Sequence, residues 1–122
     1  MLFCGFFYSG NHIFSQKTDP DPAIDSLITN LNSKARETFM QGDFDKSREY
    51  LEEVLDLKLK HYPRLKKNLA NTYLNLAQAC RNTWDYESAI TLSLKAIEYY
   101  SAHDSTNITI GEIFNYISQL LI

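Results

Sequence analysis

Apolar residues recur at helical spacing along most of the chain. Between Ala23 and about Gln41 they fall at positions 24, 27, 28, 31, 35 and 39, which is the stripe of an amphipathic helix. The same reasoning predicts four further helices, over about 44–62, 64–82, 86–102 and 110–122. The pattern therefore predicts an all-α fold.

Residues that favour turns and helix ends separate these predicted helices. Pro22 suits the first turn of the first helix, and Gly42 suits a left-handed conformation after its end. Asp43 is placed to cap the second helix, whose negative C-terminal end is near Lys58. Pro63 ends that helix. The helices are thus expected to be joined by short turns.

Two segments of the chain repeat each other. "QGDFDKSREYLEEVLDL" and "TWDYESAITLSLKAIEY" superimpose with a shift of 42 residues. The shift places Ser47 on Ala89. It also places Val54 on Ala96. Small or modest side chains therefore return where two helices of a hairpin are expected to cross closely.

These repeated residues resemble the tetratricopeptide repeat, a helical hairpin with characteristic bulky and small positions. The second unit matches that pattern through Tyr73, Leu76, Ala77, Tyr86, Ala89 and Ala96. The first unit departs from it, because Lys34 stands where leucine is usual. The shift of 42 residues exceeds the usual period of about 34. It is similar to the long-helix variant seen in kinesin-light-chain-type and some bacterial signalling repeats.

The resemblance implies a right-handed superhelical array of antiparallel helical hairpins with about two and a half repeats. Repeats are expected at about 23–62 and 64–102, with a partial third at 108–122. A shift of 41 residues places Phe114 on Tyr73, so the last helix corresponds to the first helix of a repeat. Because the chain ends on the apolar "LLI", we expect it to be the front part of a longer array; the alternative is that this helix caps the array.

The first fifteen residues, "MLFCGFFYSGNHIFS", differ from the rest because they are apolar and aromatic and contain no Lys, Arg, Asp or Glu. They are too short to span a bilayer. We expect a signal-peptide remnant over 1–15, a linker over 16–22 and the repeat domain over 23–122, although the usual basic region is absent. The alternative is an N-terminal strand or helix packed on the domain. A signal implies a periplasmic or secreted protein, and its absence implies a cytoplasmic one.

Composition argues against several functions. The chain has 12 basic and 15 acidic residues with no block of like charge, so neither nucleic acid nor an anionic membrane is an expected partner. Cys4 and Cys80 are far apart, and a buried structural thiol is expected at Cys80. His12, His61 and His103 have no partner at ligand or catalytic spacing. We therefore expect no enzymatic activity, no metal and no cofactor.

The resemblance implies an interaction module that binds an extended protein or peptide segment on its concave face. By register, nine polar side chains on the first helix of each repeat line this face: Asn32, Arg36, Asn71, Asn75, Gln78, Arg81, Asn82, Asn115 and Gln119. Amides can satisfy a peptide backbone, and arginines can bind a carboxylate. Asn32 and Glu112 stand where chaperone-binding members of the family keep lysines, so their carboxylate clamp is not expected. The alternative is a hydrophilic face without a ligand.

A function of a different class also stays open. Repeats of this family are attached to enzymes as well as to adaptors, so the chain is alternatively the sensory or regulatory front of a larger signalling enzyme. A histidine kinase or a caspase-like protease, with its catalytic part beyond Ile122, is the expected type. The exposed C-terminal helix is in addition a candidate surface for self-association.

Overall fold

The computed structural model describes residues 21–102 and 107–121. Within them the chain forms five helices: α1 (Pro22–Met40), α2 (Phe44–His61), α3 (Lys66–Asn82), α4 (Tyr86–Ala102) and α5 (Asn107–Leu120). Each helix packs against the next one along the chain. None of these helices is long and apolar enough to cross a membrane. The predicted all-α array of helical hairpins is confirmed, whereas the predicted signal segment lies outside the described residues.

The ends of the first helices follow the predicted turn chemistry. Pro22 begins α1, and the side chain of Asp21 accepts a hydrogen bond from the N–H of Ala23 at 3.0 Å. Gly42 has φ +84°, so it takes the left-handed conformation that the sequence predicted. The carboxylate of Asp43 accepts from the N–H of Lys46 at 3.2 Å and caps α2.

The turn between α3 and α4 places a bulky residue where the first turn has glycine. Trp84, 42 residues after Gly42, has φ +66°. A residue with a Cβ is disfavoured in this left-handed region, so the turn stores backbone strain. The indole is 80% exposed and meets the ring of Tyr86 edge-on, with centroids 6.2 Å apart. Little packing offsets the strain.

Three apolar clusters run along the array. The cluster between α1 and α2 consists of Ile28, Leu31, Val54, Tyr62 and Leu65. The cluster between the two hairpins consists of Ala35, Leu51, Leu76 and Ala79. The cluster that joins α3, α4 and α5 consists of Ala70, Tyr73, Leu74, Ala96, Tyr100, Ile113, Tyr116 and Ile117. Tyr50 packs against the first and second of these clusters, and Leu55 and Leu92 pack against the second and third, so the clusters form one continuous core.

Small residues lie where the helices cross. Ala77, Ala89 and Ala96 have no exposed surface. Ala96 belongs to the same cluster as Ile113 and Tyr116 of α5, so it lets the next helix approach, as the sequence predicted. Any larger side chain at these positions has to displace a neighbouring helix.

Replacing Ala89 or Ala96 with leucine is expected to lower the free energy of unfolding by roughly 1 to 3 kcal/mol, because the added side chain has no room between the helices. Thermal unfolding followed by circular dichroism measures the effect. Glu98→Leu, on the exposed side of α4, is the control and should leave the melting temperature nearly unchanged. Equal melting temperatures for the wild type and both alanine variants would show that the repeat register is wrong.

Replacing Trp84 with glycine is expected to raise the free energy of unfolding by about 0.5 to 1 kcal/mol, because glycine adopts a positive φ without a Cβ clash. This value already subtracts the stability that is lost because glycine increases the conformational entropy of the unfolded chain. Urea denaturation is the measurement. Trp84→Val should be less stable than the wild type, since a β-branched residue tolerates this conformation poorly. A glycine variant with a lower free energy of unfolding than the wild type would mean that the exposed ring stabilises the turn more than the backbone strain destabilises it.

Candidate functional site

The central helix of the predicted groove, α3, is buried on nearly every side. All residues from Asn68 to Cys80 are buried, although a surface helix buries only one stripe. Both α2 and α4 pack on α3, and α5 completes the cluster that contains Tyr73. Five polar residues of α3 consequently lie inside the domain: Asn68, Asn71, Thr72, Asn75 and Gln78.

The nine residues predicted to line the concave face divide into two groups by burial. Asn71, Asn75 and Gln78 are buried and present little open surface to a ligand. The others are exposed or half-buried: Asn32 and Arg36 on α1, Arg81 and Asn82 at the end of α3, and Asn115 and Gln119 on α5. The solvent-facing part of the face is therefore provided by α1, α5 and the last turn of α3. Ligand binding by any of the nine stays a prediction.

The buried amides differ in how their polar atoms are satisfied. The hydroxyl of Tyr100 on α4 donates a hydrogen bond to Oδ1 of Asn71. Burial raises the pKa of that hydroxyl well above its usual range, so it remains a donor at neutral pH. Nε2 of Gln78 is buried and has no hydrogen-bond partner within the described part of the chain. Gln78 thus carries a donor that the described helices leave unused.

Two members of the predicted set that are not buried, Arg81 and Asn82, also support the fold. Nδ2 of Asn82 donates to the carbonyl oxygen of Gln78 at 2.8 Å and closes the last turn of α3. The guanidinium of Arg81 lies over the ring of Tyr116 on α5, 5.8 Å from its centroid. This cation–π contact connects the end of α3 to α5 and keeps a positive charge at the open end of the face.

A lysine that the sequence places near the C-terminal end of α2 lies inside the protein. Lys58 on α2 is 3% exposed, and its Nζ donates to Oγ1 of Thr72 on α3 at 2.8 Å. Thr72 in turn donates to the carbonyl oxygen of Asn68 at 3.1 Å. No carboxylate of the described residues forms an ion pair with Lys58. Burial lowers its pKa to about 8, and the contact between α2 and α3 encloses an amine that no acidic side chain of the described helices neutralises.

A second concave feature lies between α2 and α4. It encloses about 250 Å³, with Leu76 of α3 among its lining residues. Arg48 forms an ion pair with Asp85 at 3.1 Å and another with Glu52 at 3.5 Å. Arg48 lies on α2 and Asp85 directly precedes α4, so their ion pair connects the two hairpins across this groove. The groove is therefore a joint between the hairpins.

Outside the predicted groove, the described residues offer little metal-binding or nucleophilic chemistry. Among residues 21–102 and 107–121, no three His, Cys, Asp or Glu side chains lie close enough to hold a metal ion. Cys80 is buried in α3 as a free thiol, as the sequence predicted. His61 is half-buried beside Tyr62, with ring centroids 6.4 Å apart. Cys4, His12 and His103 lie outside the described residues.

Comparison with known families identifies the repeated unit. Residues 31–61 and 70–103 each match the family described as tetratricopeptide repeat. The two matches together cover more than half of the chain. The first begins within α1 and ends with α2, and the second begins within α3 and covers α4. No curated protein and no solved structure matches the chain. The long-helix variant stays a prediction, since the match does not separate it from the common form.

Replacing Lys58 with methionine is expected to raise the free energy of unfolding at pH 7 by about 1 to 3 kcal/mol, because the variant buries no unpaired charge. The pKa of Lys58 falls from 10.5 to about 8 on folding, so between these values the unfolded chain binds more protons than the folded one. Stability of the wild type should therefore rise relative to Lys58→Met from pH 8 to 10.5, by at most roughly 1.4 kcal/mol per pH unit.

Urea denaturation at several pH values measures this difference. Titration of Cys80 and of the buried tyrosines is common to both proteins and cancels in the comparison. Lys60→Met, two residues away at an exposed position, is the matched control and should follow the wild type. Parallel stability profiles for the wild type and Lys58→Met would contradict a buried, unpaired ammonium.

Proposed function

Because the chain belongs to the tetratricopeptide-repeat family, we propose that it is a protein-interaction module that binds an extended peptide along the face formed by α1, α3 and α5. The observation that carries this proposal is the unused donor of Gln78, which is buried without a partner among the described residues. An unsatisfied buried donor costs about 1 to 3 kcal/mol. Nε2 itself has almost no accessible surface, so a backbone carbonyl of a bound peptide would accept from it, and remove that cost, only once the Gln78 side chain turns toward the open end of the face.

The residues around Gln78 suggest how a peptide would be oriented. Asn82, one helical turn further along α3, is exposed and marks the open end of the face. Arg81 lies beside it, held against Tyr116, and Arg36 is exposed on α1. A guanidinium binds a carboxylate through paired hydrogen bonds, so we expect the preferred peptide to carry an acidic side chain or a free C-terminus near this end.

The regulatory alternative uses the same face in a larger protein. In that case a peptide bound near Gln78 would control an enzymatic domain encoded beyond Ile122. Sequencing the gene past codon 122 and searching it for catalytic motifs decides between an adaptor and a regulatory segment. Export from the cytoplasm and self-association through α5 also remain proposals, because neither follows from the contacts within α1 to α5.

Replacing Gln78 with methionine is expected to have two opposite effects. The free protein should become more stable by roughly 1 kcal/mol, because a buried unpaired amide is replaced by an apolar side chain of similar size. Peptides selected on the wild type from a displayed random library should bind the variant about tenfold more weakly, which corresponds to one lost hydrogen bond of about 1.4 kcal/mol. Chemical denaturation and fluorescence anisotropy give the two numbers.

Gln41→Met, at an exposed position beyond α1, is the matched control and should alter neither stability nor affinity. Amidation of the peptide C-terminus, compared in the wild type and in Arg36→Ala, tests whether that arginine binds a carboxylate. Selected peptides that bind Gln78→Met as tightly as the wild type would show that the ligand does not use this donor. The peptide-groove proposal would then fail, and the joint between α2 and α4 would be the next surface to test.

A further inference from the structure

The turn before α4 presents a pair of aromatic rings to solvent. Trp84 and Tyr86 are both exposed, and their rings meet edge to face. In the first repeat the residue equivalent to Tyr86 is Phe44, which meets Phe39 of α1 with ring centroids 4.9 Å apart, and both of these rings are half-buried. Arg81 takes the place of Phe39 in the second repeat. The second repeat therefore carries on an open turn the ring that the first repeat keeps within its hairpin.

The stability of the fold does not explain why Trp84 stands in this turn. Gly42, at the equivalent place of the first turn, adopts the same left-handed conformation without a Cβ. The indole of Trp84 is mostly exposed, so its burial contributes little to stability. Tryptophan and tyrosine are enriched among the residues that contribute most to binding between proteins. The exposed pair therefore indicates a contact with another molecule.

The groove between α2 and α4 begins directly after this aromatic pair. Glu87 and Ser88, in the first turn of α4, line it, and Leu76 and Leu92 form its apolar part. Its volume of about 250 Å³ is smaller than the roughly 300 to 1,000 Å³ of typical small-molecule sites. The groove therefore suits one side chain of a partner better than a cofactor.

The charges around this groove are predominantly negative. Arg48 is the basic residue of its lining, and it already pairs with Asp85 at 3.1 Å and with Glu52 at 3.5 Å. Glu87 also lines the groove and forms no ion pair within the part of the chain that the structure describes. Three carboxylates thus face one guanidinium, which leaves two negative charges uncompensated. A cation with an apolar stem complements both the charge and the apolar part of the groove.

We propose that Trp84, Tyr86 and the groove between α2 and α4 form a docking surface for an extended, basic segment of a partner protein. One cationic side chain of that segment stacks on the indole, and a second lays its aliphatic stem on Leu92 with its charge beside Glu87. Arginine should bind better than lysine, because the planar guanidinium both stacks on aromatic rings and pairs with a carboxylate through two hydrogen bonds.

This surface is independent of the proposed peptide face. It uses neither Gln78 nor the exposed residues of α1 and α5, and it selects the opposite charge. The carboxylates that attract a basic segment repel an acidic one. A ligand can therefore be assigned to one surface or the other by its charge and by the variants that weaken it.

The test measures binding of a labelled, end-capped peptide, with three arginines separated by pairs of glycines, to the full chain. The α4 residues that line the groove extend from Glu87 to Leu92, roughly 7.5 Å along the helix axis, which an extended chain spans with about two or three residues. Fluorescence anisotropy should show saturable binding. Because Trp84 is the single tryptophan of the chain, its own fluorescence should change over the same range of peptide concentration. The same peptide with glutamate in place of arginine should not bind.

Two variants test the two parts of the surface. Trp84→Gly should weaken binding at least about fivefold, because the stacked cation loses its aromatic partner. Glycine is expected to stabilise this turn, so the loss cannot come from unfolding. Glu87→Gln should weaken binding roughly threefold to fivefold, because it removes an exposed charge partner. Circular dichroism should show that both variants keep the wild-type fold.

Three matched controls keep the result specific. Glu53→Gln removes the same charge from an exposed position of α2 outside the groove, and Met40→Ala removes an exposed apolar side chain at the end of α1. Both should bind like the wild type, and so should Gln78→Met, which alters the other proposed surface.

Three outcomes would overturn the proposal. The first is that the arginine peptide does not bind the wild type, or binds Trp84→Gly equally well. The second is that Glu87→Gln and Glu53→Gln weaken binding equally, which would show attraction by overall charge. The third is a dimer of the wild type that Trp84→Gly abolishes and the peptide does not displace, which would identify a second copy of the chain as the occupant.

Discussion

The fold depends on burying α3, a helix that carries polar side chains through its buried length. A polar group removed from water destabilises the protein unless it finds a partner. The neighbouring helices supply those partners: Lys58 of α2 donates to Thr72, and Tyr100 of α4 donates to Asn71. The small residues of α4 serve the same end, because they let α4 approach α3 closely enough for Tyr100 to reach Asn71.

The proposed peptide face lies where this mutual support is incomplete. Near the last turn of α3 the described helices supply no partner for Nε2 of Gln78, and in its first turn they supply none for Oδ1 of Asn68. Elsewhere the hairpins are joined tightly, by the ion pair between Arg48 and Asp85 and by the cluster that contains Leu76.

Features that depend on neighbouring residues along the chain could be predicted from the sequence. Gly42 and Asp43 act within one turn, and apolar spacing alone defines the helices. Features that depend on which helix covers another could not. The burial of Asn75 is of this kind, because amides on a helix face suggest solvent unless a neighbour is known to cover them. For Lys58 a signal existed: the repeat register aligns it with Tyr100, whose bulky apolar ring indicates a covered position.

The location of Cys80 has a consequence for the reactivity of its thiol. Burial in α3 raises the pKa of this thiol to about 11, so at neutral pH almost none of it is the reactive thiolate. Oxidants, alkylating reagents and the disulfides of other proteins react with thiolates, and here they also meet closed packing on all sides of the sulfur. Cys80 is therefore redox-inert in the folded domain, and its oxidation would report unfolding.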